Sequence, residues 1–355
     1  MTNINILSYF SALEDPRQSW KVIYPLDEII LVVLCGTMAG ADDFVQIKQW
    51  SNQKIDFLRS ILPFKHGVPS HDTLNDVMNA IPASLFSECF TNWVEAMKSQ
   101  ETDIVAIDGK TSRRARCKNG KALHVVSAWA CQQRLVLGQE TCDEKENEII
   151  AIPRLLEKLE LTGALVTIDA MGCQNTIAKA ITDKGADYVL ALKGNRKSLH
   201  EEVALFFENT ENLESHLTTD ADHGRIETRR SYVCHDIDWL KPTKNAPEEP
   251  RFPNLACVGM VESEVEIDGK TTTSRRYYVS SCQLNAPQLA KAVRSHWGVE
   301  NRLHWVMDVV FHDDLMRLRT QNGPANMATI RHTALNLIKA IPGKASLKVK
   351  RKTMG

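Results

Sequence analysis

Three carboxylates in this chain stand where structural duties are few. Asp108 follows the unbroken apolar run Ile104–Ile107 (IVAI), and Asp169 follows Leu165–Ile168 (LVTI). Short continuous apolar runs mark strands buried on both faces, so both acids are expected at the ends of central strands. Ala170 and Gly172 leave room beside the second. Glu300 lies in Ala286–Asp314 (APQLAKAVRSHWGVENRLHWVMDVVFHDD), where His296, Glu300 and His304 recur every fourth residue with Asn301 and Asp308 alongside. A lone Asp after a strand ordinarily caps a helix or closes a turn, and a polar helix face is ordinarily solvated. Two such acids on neighbouring strands, under a helix that brings a third, suit a different task. Hard cations such as Mg²⁺ take carboxylate oxygens and keep waters. Two ions about 3.5–4 Å apart can activate one oxygen and stabilise another in phosphoryl transfer.

An internal repeat tests this reading. IDGKT occurs at Ile107–Thr111 and again at Ile267–Thr271. Asp-Gly between alternating runs is a strong hairpin signal, and the second copy fits it, because Val261, Val265 and Ile267 alternate with polar residues. Asp268 is therefore a turn residue. The first copy follows an unbroken apolar run and precedes the basic segment Arg113–Lys118 (RRARCK).

The elements that position these acids are legible from periodicity. Residues 1–100 read as a helical domain, with helices over Leu26–Ala39, Asp43–Trp50, Lys54–Leu62 and Ser84–Met97, and a further start capped by Ser70. From Asp103 the order is strand (104–107), strand (Leu123–Ala130), strand (Arg134–Glu140), helix (Asn147–Leu161), strand (165–168), helix (Gln174–Lys184) and strand (Tyr188–Leu192). This is a mixed sheet with flanking helices, an α/β arrangement. Residues 200–285 read as an all-β insertion with strands Arg229–Cys234, Ala256–Ile267 and Thr271–Ser281, broken by the Pro-rich loop Lys241–Pro253. The helix opening at Asn285–Pro287 carries Val299, Leu303, Val306 and Val310 on its core face, flanked by Trp297, Trp305 and Met307. Gly298 in mid-helix costs about 1 kcal/mol against Ala and implies a close approach to that backbone. Ala325–Ile341 reads as a last amphipathic helix, and the basic tail as mobile.

Composition narrows the chemistry. With 355 residues, 43% hydrophobic and 25% charged, the chain is ordinary for a globular protein. The apolar run Ile29–Ala39 is too short to span a bilayer, and the N-terminus lacks a signal-peptide pattern. Nine cysteines scattered without CxxC suggest neither a disulfide frame nor a zinc cluster and point to a reducing cytoplasm. A net charge of −1 argues against a uniformly basic nucleic-acid binder. Local clusters such as Arg225–Arg230, Arg275–Arg276 and Lys344–Lys352 could still neutralise phosphates. There is no Walker loop, GxGxxG or GxSxG, so nucleotide, nicotinamide and serine-hydrolase chemistries rank low.

The runs AIDGKT, EKENEIIAIPRLLEKLELTGALVTIDAMGCQ, DYVLALKGN, HGRIETRR and HWGVENRLHWVMDVVFHDD occur in that order. Together they resemble the H-repeat-associated proteins, which are DDE-type insertion-sequence transposases with a ribonuclease-H-like core. The resemblance extends from Asp15–Arg17 to the ALNLIK near Ala334. It implies that Asp108, Asp169 and Glu300 form an acidic triad that binds two Mg²⁺ or Mn²⁺ ions. It also implies DNA contacts from Lys193, Asn195, Arg225 and Arg229, with double-stranded element ends and target DNA as partners and a homodimer on DNA. Lys110 and Arg113, with Lys193, are expected near phosphates. The wider group carries Tyr, Arg and Lys around its glutamate; here those positions are Val293, His296 and Met307. His296, Asn301 and His304, with Trp297 beside them, are therefore the candidates to grip DNA. Related chains continue beyond Gly355.

The expected organisation is a helical domain over 1–100, the first part of the core over 101–199, the β-rich insertion over 200–285, core helices with Glu300 over 286–342 and a basic tail over 343–355. The expected activity is cleavage at element ends and strand transfer, in the cytoplasm and on the nucleoid when DNA-bound. A DNA-binding relic without catalysis, and a nuclease that cuts without joining, remain as alternatives.

Overall fold

A computed structural model describes residues 6–99, 101–116, 120–142, 147–222, 224–240 and 251–355. The Pro-rich stretch 241–250 and the end of RRARCK lie outside the described residues.

The N-terminal part is helical: α1 (Ile6–Phe10), α2 (Leu26–Met38), α3 (Phe44–Gln53), α4 (Ile55–Arg59), α5 (His71–Ala80) and α6 (Ala83–Met97). Side-chain caps set two of the boundaries, Ser70 as expected and Asp43 in addition. The Asp43 carboxylate accepts from Gln46 N, and the Ser70 hydroxyl accepts from Thr73 N. The apolar α2 is buried along most of its length, and Glu28 within it accepts from Phe64 N at 2.6 Å.

The sheet is one continuous nine-stranded layer in the order β3-β2-β1-β4-β5-β9-β8-β7-β6. Its first five members are β1 (Ile104–Arg116), β2 (Ala122–Ala130), β3 (Leu135–Thr141), β4 (Leu165–Ile168) and β5 (Asp187–Leu192), with α7 (Glu148–Glu157) and α8 (Asn175–Asp183) between them. β1, β4 and β5 are parallel, whereas β2 and β3 pair antiparallel. This 3-2-1-4-5 mixed arrangement is ribonuclease-H-like.

Two sequence expectations need correction here. Strand β1 does not end at Asp108: β2 pairs with it down to Ser112↔Leu123, so it outruns β4, which stops at Ile168. The insertion over 200–285 is not all-β, and its strands extend the core sheet. It opens with α9 (Lys197–Asn209), followed by β6 (Ser215–Asp222), β7 (Arg225–Cys234), β8 (Cys257–Ile267) and β9 (Lys270–Ser280). β9 pairs antiparallel with β5, because its Tyr277–Ser280 end is buried and continues the core while its other end is exposed. Asp268 (φ 50°) and Gly269 (φ 73°) form the tight β8–β9 turn, so the second IDGKT is a hairpin tip, as its alternation implied.

The last long helix, α12 (Gly323–Ala340), is buried on nearly every side rather than amphipathic. Its polar residues are paired inward. Asn326 donates to Met78 O and Ile81 O, Asn336 bonds both backbone groups of Val136, and His332 Nδ1 lies 2.5 Å from Gln139 Oε1. Burial pushes His332 down to about 3. The unfolded chain, with a His pKa near 6.5, therefore binds a proton that the folded chain refuses between those values. Stability is complete above about pH 6.5 and falls with acidification toward pH 3, by up to about 1.4 kcal/mol per unit. Urea unfolding at stepped pH should show this slope shrink in His332→Gln; an unchanged slope would refute the assignment.

The tail is docked, contrary to the mobile reading. It forms α13 (Leu347–Thr353), and Arg351, 5% exposed, donates to Thr37 O at 3.0 Å, to Asp42 at 3.1 Å and to Val310 O. Its guanidinium also sits over Phe311. Arg351→Ala should undo this tie between the tail, Thr37, Asp42 and Val310 and cost about 2–4 kcal/mol, read as a lower denaturation midpoint.

Candidate active site

The parallel register Ile107↔Ile168 brings the next residues, Asp108 and Asp169, to the same level on adjacent strands. Asp169 caps a short 3₁₀ turn, Ala170–Gly172, its carboxylate accepting from Met171 N at 2.9 Å. Capping and a place at the sheet end thus coexist in one residue. Glu300 is brought by the helix that crosses β1 and β4. That helix starts at a capping box between Asn285 and Gln288, runs as α10 (Ala286–Val299), widens into a π-helical turn at Glu300–His304, and continues as α11 (Trp305–Val309). Val299, Leu303, Val306 and Val310 are buried, as the periodicity requires. The close approach expected at Gly298 is absent: a Cβ there would meet Trp129 Nε1 at an ordinary 3.7 Å.

The electrostatics of Asp108 report the convergence of the acids. Burial leads in raising its carboxyl to about 7; the Gly109 N–H opposes this, and the charges of Glu148, Asp169 and Glu300 add to it. Glu148 was not singled out by sequence. An acid in a first helical turn reads as a complement to the helix dipole, and only the packing of α7 against the sheet brings it to Asp108.

The two histidines of the Glu300 face turn inward. His304 Nδ1 lies 3.6 Å from Asp108 Oδ2, and burial, with Lys110 nearby, pushes it down to about 4, so it is neutral. Behind it is a cavity of about 20 Å³ bordered by Ser112, Ser127, Asp313 and His332, large enough for one water. His296 pairs with Thr167 Oγ1 at 3.0 Å and is lowered by burial, against the charge of Asp169.

The basic candidates separate into groups. Lys110 Nζ lies 2.6 Å from Asp308 and 3.5 Å from Asp314, tying β1 to the segment that follows Glu300. Arg113, largely exposed, pairs with Asp314 at 3.2 Å. Lys193 is exposed after β5, and Asn195 donates to Ala170 O beside Asp169. Arg225, Arg229, Trp297 and Asn301 line a cleft of about 700 Å³ between the β6–β9 face and the helix of α10. Arg225 and Arg229 are held there by Glu227 and Asp220. Three further cations stand on its walls: Arg276, named in the sequence only within the Arg275–Arg276 pair, and Lys291 and Arg294, which were not singled out. Arg276 stacks over Trp297 at 5.3 Å; the Arg275–Arg276 pair was the only hint of it in the sequence.

A 3-2-1-4-5 sheet whose central strands and crossing helix bring acids to one end defines a ribonuclease-H-like protein with an acidic centre. Among the described residues, no helix is long and apolar enough to cross a membrane. Residues 99–337 match the family model described as a transposase DDE domain, and residues 7–94 match the DDE_Tnp_1-associated model. The "H repeat-associated putative transposase YhhI" of Escherichia coli K12 is 37% identical over 347 residues, 94% of this chain and 90% of that one. The "Putative transposase YncI" of Escherichia coli O157:H7 is 35% identical over 365 residues, 98% of this chain and 91% of its own. A piggyBac transposase in a synaptic complex with hairpin DNA aligns at a TM-score of 0.46 and 13% identity, covering 98% of this chain and 78% of that one. The chain belongs to the DDE transposase family.

Proposed function

We propose that the protein is a metal-dependent DNA transposase that hydrolyses phosphodiesters at insertion-sequence ends and joins the freed 3′-hydroxyl to target DNA. The observation that carries this reading is the convergence of acids at Asp108, a half-buried carboxyl raised to about 7 chiefly by burial, with the charges of Glu148, Asp169 and Glu300 adding to it. Such a set repels itself and suits a positive ion. The donors are carboxylate oxygens, as hard divalent cations prefer, although among the described residues no three side chains are gathered tightly enough to hold an ion as they stand. Asp108, Asp169 and Glu300 would hold two Mg²⁺ or Mn²⁺ ions, which when bound supply charge to the attacking and departing oxygens.

The chain's own residues do the rest. Neutral His304 backs Asp108, and Lys110 fixes β1 against the Glu300 segment. The cleft cations neutralise backbone phosphates, with Arg225 and Arg229 exchanging Glu227 and Asp220 for DNA. Asn301, on the cleft wall, is the next residue after Glu300, so the cleft and the acids meet at the same turn of the helix. Lys193 and Asn195 approach from the Asp169 side. Two copies pair two element ends. The expected compartment is the reducing cytoplasm, where the nucleoid supplies the DNA.

An end-labelled cleavage assay tests the reading, using DNA with the flanking inverted repeats and Mg²⁺, Mn²⁺ or EDTA. Metal-dependent nicking at the repeat boundary, lost in Asp108→Asn, is the expected result. Repeat binding without nicking would reduce the protein to a DNA-binding relic.

A further inference from the structure

We infer that Glu148 is a fourth carboxylate of the metal centre, held in place by His124 and Thr111. The inference rests on the metal-dependent reading above and adds a residue that the triad does not contain.

Glu148 opens α7 directly after Asn147, whose side chain accepts from Ile149 N and fixes where the helix begins. The carboxylate, 12% exposed, lies over the backbone of Gly109, next to Asp108. That position needs a residue without a side chain. A Cβ on Gly109 would stand 2.2 Å from Glu148 Oε1 and 2.5 Å from His124 Nε2. The glycine of this IDGKT therefore makes room for an acid, whereas the glycine of the other copy closes a turn.

His124, on β2, orients the acid. Its Nε2 is 2.8 Å from Glu148 Oε1, and its Nδ1 is 2.7 Å from the Thr111 hydroxyl. With the Thr111 O–H donating to Nδ1, the ring N–H is on Nε2 and donates to the carboxylate. Both nitrogens are satisfied, and the carboxylate is aimed without being neutralised. A partner of this kind behind an acid is the usual support of a metal ligand. The pair stands beside Asp108, on which Asp169 and Glu300 also act, and among the charges acting on Asp108 that of Glu148 is the largest.

The test is Mn²⁺ titration of the full chain without DNA, following free Mn²⁺ by electron paramagnetic resonance, with thermal unfolding in EDTA alongside. Glu148→Gln should bind Mn²⁺ about tenfold more weakly, with a metal-free midpoint equal to or above that of the wild type, because a repelling charge is gone. Gly109→Ala, which displaces the carboxylate but keeps it, should weaken binding in the same direction. Wild-type Mn²⁺ affinity in Glu148→Gln, with binding lost in Asp108→Asn, would overturn the role of Glu148 alone. A lower metal-free midpoint with unchanged affinity would make Glu148–His124 an ordinary ion pair and overturn it as well. A wild type that binds no Mn²⁺ would overturn the metal-dependent reading itself.

Discussion

Asp108→Asn should abolish metal-dependent nicking and, in EDTA, make the protein more stable to heat at pH 7. The first effect follows from losing a carboxylate where the proposed ions supply several kcal/mol, on the order of a thousandfold in rate. The second follows from linkage. Asp108 is raised from an ordinary carboxylate value to about 7, so the folded state holds a proton that the unfolded chain has released. Stability from this group is complete below about pH 4, declines as pH rises to 7, and stays lost above that. The asparagine removes a penalty of a few kcal/mol at most, since the side chain keeps 20% exposure. Thermal midpoints from pH 4 to 8 would check it. A midpoint that falls in the variant at pH 7 would mean that Asp108 serves packing and that its neighbours do not crowd it.

Asp313→Ala should be among the most destabilising single changes, about 3–5 kcal/mol, because it strands a buried guanidinium. Asp313 accepts from Ser112 Oγ at 2.5 Å and from Arg331 Nη1 at 3.1 Å, with Lys110 at 3.9 Å. Arg331 is 2% exposed; burial draws its pKa down, and the carboxylate of Asp313 draws it back up. This pair joins α12, β1 and the segment after Glu300, so its loss should also loosen the acids. Urea midpoints would measure the cost. Asp313→Ala with Arg331→Met should recover much of it, since removing both charges leaves neither one buried alone. A single variant within about 1 kcal/mol of wild type would show that water reaches the pair.

Periodicity and caps located most of the fold because those signals are local. Leu165–Ile168 is a strand of those bounds, Ser70 and Asn285 start their helices, and the second IDGKT makes its hairpin. One failure was local, since α9 fell in a stretch read as all-β; the others were tertiary. Nothing within β1 tells that β2 prolongs it past Asp108, and nothing in a Lys-rich tail tells that Arg351 will find four backbone and side-chain acceptors. Asn326, His332 and Asn336 looked like a solvent face until their partners on other elements were seen. The site divides in the same way. Asp108 and Asp169 were legible as residues after apolar runs, and Glu300 from a polar stripe. Glu148 and the cleft cations Lys291 and Arg294 depend on which faces meet, which spacing does not encode.

The π-helical turn at Glu300–His304 also sets an angular phase. In an unbroken α-helix, Asp308 would stand about 80° around the axis from Glu300; one extra residue in the turn reduces this to about 20°. Glu300 and the acid that holds Lys110 therefore share one meridian of the helix. The widened turn acts as a vernier, aligning two carboxylates that the heptad-like apolar pattern alone would have set apart.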